Sequence, residues 1–286
     1  MNAPGARARA LGAWLAAPPR ARLMGILNVT PDSFSDGGAS ATLDAALRRA
    51  ERLIAEGADL IDIGGESSRP GAAPVSEAEE RRRVVPVVRA VRARFDVPLS
   101  VDTVKAAVAA EALTAGADWV NDVSALRDDP DMAAVAAQAG CPVVLMHRAG
   151  TARRNYQDFA YDDVVEDVAR FFAERIAFAT HAGIDAAQLL LDPGIGFGKR
   201  AVHNCALLNR LDAFARFGRP LLVGTSRKSF IGKLLGVPLE ARLPSTIASA
   251  LIAVQRGTAV VRVHDVAEVR QALMMAHAIE RGPWPD

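Results

Sequence analysis

Short apolar runs recur along the chain, and each closes in polar or turn-forming residues. The first, Leu23 to Leu27, ends at Asn28 and empties into a loop built from Thr30, Pro31, Asp32, Ser33, Ser35, Asp36, Gly37 and Gly38. Similar runs follow at Leu60–Ile63, Leu99–Val101, Trp119–Val120, Val143–Met146, Leu189–Leu191, Leu221–Val223 and Ala259–Val261. A short apolar run bounded by turn signals predicts a buried strand. Continuous apolarity fits a parallel sheet covered on both faces. Between the runs lie stretches with helical spacing, such as Leu43, Ala46, Leu47, Ala50 and Ile54, or Val84, Val87, Val88 and Val91. Helix-like segments end at Gly57, Gly116, Gly140, Gly183, Gly218 and Gly257, and glycine is the usual residue just past a helix. Eight strands alternating with helices predict an α/β fold: a single-domain (β/α)8 TIM barrel in preference to a doubly wound sheet.

Local signals add detail. Ser76 with Glu79 spells a capping box for the helix carrying the valine stripe, and Pro86 predicts a bend within it. Residues 1–20 are rich in Ala, Arg and Pro and read as a poorly ordered leader, leaving 21–286 for the barrel. Arg7 and Arg9 ahead of Leu11–Ala17 imitate a signal peptide, but that apolar stretch is short and Gly12 interrupts it. The length of 286 residues suits one barrel, and half of the residues are hydrophobic, enough for a large core. A net charge of +1 leaves no electrostatic footprint for nucleic acid. No apolar run reaches the ~20 residues of a membrane span. Cys141 and Cys205 stand far apart without metal spacing, as is ordinary in a reducing cytosol, so a cytoplasmic location is expected.

The strand ends carry the functional argument. Asn28, Asp62, Asp102, Asn121, His147, Asp192, Ser226 or Lys228, Arg262 and His264 all fall at or just past the C-terminus of a strand. In a TIM barrel these positions converge on the face where active sites form. A lone Asp there often caps the following helix, and a lone His or Lys is more often structural than catalytic. Polar ends on all eight strands exceed what capping requires, and they point to one shared ligand site. Asp102 and Asp192 are acceptors suited to a flat edge rich in N–H groups, and Asn121 both donates and accepts. Such a set suits a 2-amino-4-oxo heterocycle better than a sugar. Arg262 can stack its planar guanidinium on a ring. Asn28, Arg69, Arg262 and His264 suit an anion such as diphosphate with a divalent metal. Ser226 precedes a predicted helix from Arg227 to Leu235, where backbone N–H groups favour an anion. Phe34, alone in the first polar loop, reads as a ring on a loop that closes over the ligand.

The chain resembles the dihydropteroate synthase family from about Arg22 to Glu280. The motifs that carry the resemblance are Met-Gly-Ile-Leu-Asn-Val-Thr-Pro-Asp-Ser-Phe-Ser-Asp-Gly-Gly (Met24–Gly38), Asp-Ile-Gly-Gly-Glu-Ser-Ser-Arg-Pro-Gly (Asp62–Gly71), Ser-Val-Asp-Thr (Ser100–Thr103), Asn121-Asp122, Leu-Met-His (Leu145–His147), Leu-Asp-Pro-Gly-Ile-Gly-Phe-Gly-Lys (Leu191–Lys199), Gly-Thr-Ser-Arg-Lys-Ser (Gly224–Ser229) and Arg-Val-His-Asp-Val (Arg262–Val266). Long motifs in this order are far more specific than any one of them. The resemblance implies a Mg2+-assisted transferase of folate biosynthesis, a target of sulfonamides, that condenses 6-hydroxymethyl-7,8-dihydropterin diphosphate with 4-aminobenzoate. It implies a homodimer. It places the pterin on Asp102, Asn121, Asp192 and Lys228, with Met146 lining the pocket and Arg262 stacking. Asn28 is implied as the contact to Mg2+, and His264 with Arg262 as the diphosphate site. Phe34 and Asp36, with Ser68, Arg69 and Pro70, are implied to complete the aminobenzoate site, along which Phe197 and Ser226 lie, and Gly224 is implied as a further substrate-binding position. Catalytic roles fall on Phe34, Asp36, Lys228 and Arg262.

The chain departs from the family pattern at Ser68, where Thr is frequent, at Arg148, where Met is common, and at Pro244-Ser245, in place of a glycine-containing turn. None of these removes a group assigned to chemistry. A pterin-binding methyltransferase domain shares the barrel and the carboxylates but does not need the Phe34 and Arg69-Pro70 loops or Gly224–Ser229. A non-catalytic paralogue is the other alternative. A metal-hydrolase barrel fits poorly, since neither His147 nor His264 has a His-x-His partner.

Overall fold

The computed structural model describes residues 11–16, 20–30, 38–67, 73–150 and 159–284. Eight strands form in the predicted places: β1 (Arg22–Asn28), β2 (Leu60–Gly64), β3 (Leu99–Asp102), β4 (Trp119–Asp122), β5 (Val143–Met146), β6 (Leu189–Asp192), β7 (Leu221–Val223) and β8 (Thr258–Val263). Each pairs in parallel with the next, and β8 returns to β1, closing a (β/α)8 barrel. The surrounding helices are α1 (Gly38–Ala55), α2 (Glu77–Arg94), α3 (Ala106–Ala115), α4 (Met132–Ala139), α5 (Val164–His181), α6 (Ala201–Asn209), α7 (Ser229–Leu235), α8 (Leu243–Gln255) and α9 (Val266–Arg281).

The two-residue period of a strand sorts its side chains between two cores. Ile61 and Ile63 of β2, Val143 and Leu145 of β5, and Val261 and Val263 of β8 point outward and pack beneath the helices. Leu60, Val144 and Val260, their neighbours along the chain, meet inside the barrel with Met24, Trp119, Leu190 and Leu222. Two residues further on, the inward positions become Asp62, Met146 and Arg262. Because both faces of every strand are covered, burial is nearly complete, as the continuous apolar runs require.

Some local expectations change. Ser76 does cap α2, accepting the Glu79 N–H at 3.3 Å. The Glu79 carboxylate, however, turns to Arg82 and to Arg83 Nε (2.7 Å), so charged neighbours outcompete the reciprocal half of the box. Helix α2 runs on through Pro86, which is exposed, so water can serve the carbonyl left without a donor. Within the predicted leader, residues 11–16 form a helical turn against the N-terminal mouth of the barrel. Leu11 is buried there, Trp14 meets Trp119 edge-on at 5.5 Å, and the Arg22 guanidinium lies 4.7 Å from the Trp14 ring centre. The remainder of that leader, 1–10 and 17–19, lies outside the described residues.

Candidate active site

At the C-terminal end of the barrel a cavity of about 710 Å³ opens, bordered by Asn28, Asp102, Phe197, Gly224, Ser226, Lys228, Arg262 and His264 among others. These are predicted site residues, brought together from β1, β3, β7, β8 and the loop after β6. Asn121, Met146 and Asp192 sit just beneath, almost wholly buried. Phe34, Asp36, Ser68, Arg69 and Pro70 lie outside the described residues.

One guanidinium organises the acidic side. Arg262 donates from Nε to Asp62 Oδ2 at 2.6 Å and from Nη2 to Asp102 Oδ2 at 2.8 Å. Asn121 Nδ2 adds a third donor, to Asp62 Oδ2, at 3.0 Å. Burial pushes the Asp102 carboxyl up to about 7; Arg262 opposes this, while Asp62, Glu80 and Asp122 add to it. Burial would lower the Arg262 guanidinium, but Asp62 and Asp102 outweigh it and hold it above its usual range.

The far wall is cationic. Lys228 Nζ donates to the Ile195 carbonyl and stands 4.7 Å from the centre of the Phe197 ring. Burial pulls Lys228 down to about 8, against the attraction of Asp192 and with help from Arg262. Burial likewise raises Asp192, opposed by Lys228 and by the Gly194 N–H, which donates to Oδ1 at 2.7 Å. Ser226 accepts the His264 N–H at 3.1 Å, with His264 Nδ1 at 3.0 Å from its Oγ. Its hydroxyl proton is thus left for that ring nitrogen or for a ligand. A Cβ on Gly224 would stand 3.5 Å from Arg262 Cβ and 3.9 Å from Lys228 Nζ, so the bare backbone keeps the space between the two cations open.

Lys199 fixes the loop that carries Phe197. It is buried and donates to the carbonyls of His147 (3.2 Å), Gly194 (3.0 Å) and Phe197 (3.0 Å). Gly194 within that loop has φ 66°, and a Cβ there would meet the His147 carbonyl oxygen at 1.9 Å.

Two expectations are corrected. His147 follows inward-facing Met146 and so turns outward, packing edge-on against Phe171 at 4.8 Å. Burial, with Lys199 and Arg127 nearby, holds its ring well below the usual histidine range. The helix after β7 begins at Ser229 rather than Arg227. Arg227 has φ 56°, pinned by its N–H to Thr246 Oγ1 (3.0 Å) and by its guanidinium to Asp265 (Nε–Oδ2 2.9 Å). A left-handed residue cannot begin a right-handed helix.

The cavity also includes residues that sequence reasoning did not assign, among them Glu66, Ser67, Leu239 and Arg242. Glu66 and Ser67 stood inside a quoted motif. Leu239 and Arg242 come from the connection between α7 and α8, where no sequence signal marks them. Asp62, seen as a strand terminus but given no role, is the anchor of Arg262.

A closed (β/α)8 barrel with a charged cavity at the C-terminal ends of its strands defines an enzyme of the TIM-barrel class. The model of the family described as pterin binding enzyme matches residues 24–264. Dihydropteroate synthase of Escherichia coli (strain K12) is 50% identical over 256 residues, covering 90% of this chain and 90% of its own. Among solved structures, Yersinia pestis dihydropteroate synthase in a sulfonamide drug complex superposes with TM-score 0.86 at 52% identity, covering 91% of this chain and 94% of that one. Xanthomonas albilineans dihydropteroate synthase with 4-aminobenzoic acid gives TM-score 0.86 at 49% identity, covering 92% and 94%. The chain belongs to the pterin-binding enzymes and, within them, to the dihydropteroate synthase family.

Proposed function

We propose that this cavity condenses 6-hydroxymethyl-7,8-dihydropterin diphosphate with 4-aminobenzoate, giving 7,8-dihydropteroate and diphosphate. The observation that carries the reading is a set of acceptors, Asp102 on the cavity wall with Asn121 and Asp192 buried near it, facing Lys228, Arg262 and His264. The 2-amino-4-oxo edge of a pterin presents N–H donors to those acceptors, and Lys228 donates to its oxygen. With the pterin seated, Arg262 yields Asp102 to the ligand, keeps Asp62 as its anchor and stacks on the ring. Met146 lines the pocket below.

The diphosphate is taken by Arg262 and His264. Mg2+ is assigned to Asn28. Among the described residues, no three His, Cys, Asp or Glu side chains gather into a metal cage. A single amide oxygen on the cavity wall suits an ion that keeps most of its water and is held through phosphate oxygens. When bound, that ion neutralises charge on the leaving diphosphate.

The reaction is dissociative: the methylene C–O bond breaks, the positive charge spreads into the pterin ring, and the aryl amine attacks and loses a proton. The protein supplies positioning and charge stabilisation and no covalent nucleophile. Phe34 and Asp36, with Ser68, Arg69 and Pro70, enclose the aminobenzoate, Phe197 lies along it, and its carboxylate sits at Ser226. A homodimer in the cytoplasm completes the reading.

Diphosphate release with and without 4-aminobenzoate is the test. Release that depends on both substrates is expected; none at all, or release without the amine, overturns the reading. Replacing 4-aminobenzoate by 4-aminobenzamide removes the anion and should cost roughly 1.5–3 kcal/mol, about ten- to a hundredfold or slightly more in kcat/KM. Ser226→Ala should narrow that gap, and a sulfonamide analogue should compete. An amide that performs as well as the acid in wild type would move the anion site elsewhere.

A further inference from the structure

The cavity wall contributed by β2 is held by side chains with no part in the proposed chemistry. Glu66 lines the cavity just past the end of β2. Its Oε1 accepts the Val75 N–H at 3.2 Å, so the two ends of the 67–74 connection meet on one carboxylate. Its Oε2 accepts Lys105 Nζ, and the same ammonium donates to Glu80 Oε2. Glu80, on α2, is 1% exposed. Lys105 stands immediately before α3, three residues past Asp102. One cation therefore ties the β2 loop, the buried face of α2 and the end of β3.

The backbone is shaped for this contact. A Cβ on Gly65 would meet Val84 Cγ2 at 2.7 Å and Glu80 Cγ at 3.1 Å, so glycine lets the stem lie against α2. Arg83 donates to the Gly65 carbonyl at 3.0 Å while anchored on Glu79. Burial alone would lower Lys105, but its hydrogen bonds to Glu66 and Glu80 hold the ammonium above the ordinary lysine range.

We propose that Lys105 is a positioning residue: by clasping Glu66 and Glu80 it sets the β2-side wall of the cavity, and with it the affinity for 4-aminobenzoate, without touching either substrate. The inference rests on the reaction proposed above. The pterin acceptors are positioned by the strand ladder and not by the clasp; the Glu80 charge does bear on Asp102, and the Glu80→Gln double variant below removes it. Ser67, which lines the cavity next to Glu66, takes its place from that anchored carboxylate.

Steady-state diphosphate release tests it on the whole enzyme. If the unclasped wall holds its binding shape about a tenth of the time, Lys105→Met raises KM for 4-aminobenzoate about tenfold. KM for the pterin diphosphate and kcat should stay within about threefold, since the groups that serve them are untouched. Lys105→Arg, which keeps the cation and can bridge two carboxylates, should restore most of the loss. Glu66→Gln keeps an acceptor for Val75 but loses the charge, and should fall between. If Lys105→Met does not fold, the double variant Lys105→Met/Glu80→Gln removes the orphaned charge and must show the same split. Both KM values rising together, or neither moving, overturns the clasp. Wild type that releases no diphosphate refutes the reaction itself. Wild-type turnover alongside an unchanged aminobenzoate KM in Lys105→Met refutes the clasp alone.

Discussion

The two ends of this barrel are made from the same strands with the same two-residue period, yet their interiors are chemical opposites. At the N-terminal end the inward layer is Met24, Leu60, Trp119, Val144, Leu190, Leu222 and Val260, with Leu11 packed against it. Two residues further along, roughly 6–7 Å by strand rise, the layer holds Asp62, Asn121, Asp192 and Arg262. The charge at the floor, Arg22, pairs with Asp59 at 3.5 Å and lies against the Trp14 ring, although burial still pulls it below its usual range. The rim is different. Asp102 is pushed up to about 7, Lys228 is pulled down to about 8, and Asp62 Oδ1 has no hydrogen-bond partner among the described residues. The floor is an apolar layer whose charge is met by neighbours within the fold. Groups at the rim hold shifted charges and spare bonding capacity, which a ligand can use.

That contrast predicts where a substitution registers. The largest effect is expected at Asp192→Asn. A buried acceptor becomes part donor facing donors, so pterin diphosphate binding should weaken by about 2–4 kcal/mol. Burial already disfavours the Asp192 charge, so the melting temperature should hold or rise. Calorimetry showing unchanged binding would remove Asp192 from the pterin site.

A pH series sharpens the rim. Below about 7 Asp102 gains a proton and presents a donor to the ligand's donors. Affinity for the pterin diphosphate should therefore fall with acid, approaching about tenfold per unit well below that value. Above about 8 Lys228 loses its charge, giving a second decline. Asp102→Asn should flatten the acid limb. An unchanged acid limb in that variant would assign the titration to another group.

The smallest effect concerns the floor. Trp14→Ala removes the stacking on Arg22 and the edge contact with Trp119, and should lower stability by about 1–2 kcal/mol. The kcat/KM at a temperature where the protein is folded should not change. Lost activity without lost stability would break the division between the two ends.

Much of this was readable along the chain. The strands were legible because a buried parallel strand is short, apolar on both faces and closed by turn formers. The helix ends were legible because Gly116 and its counterparts must adopt a positive φ, here 116°. The rim was legible because strand termini had to converge. The outward turn of His147 was latent in the alternation with Met146, and was hidden by its place at a strand end. The roles of Asp62, Glu66 and Lys105 were not legible, since each depends on which charges come to lie beside it. The same holds for Arg227, whose backbone is set by Thr246 and Asp265.

The sequence by itself determined the periodicities, and with them the eight strands, the closed barrel and the identity of the polar groups at its mouth. These follow from local rules: the strand's two-residue repeat, the helix's 3.6-residue repeat and the stop signals between them. Only the tertiary structure decided which charges pair, because Arg262 and Asp62 are 200 residues apart and meet inside the barrel, over β1, at 2.6 Å. Burial then depends on every element packed around a group. It moved Asp102 and Lys228 toward neutrality while leaving Arg262 charged between two carboxylates.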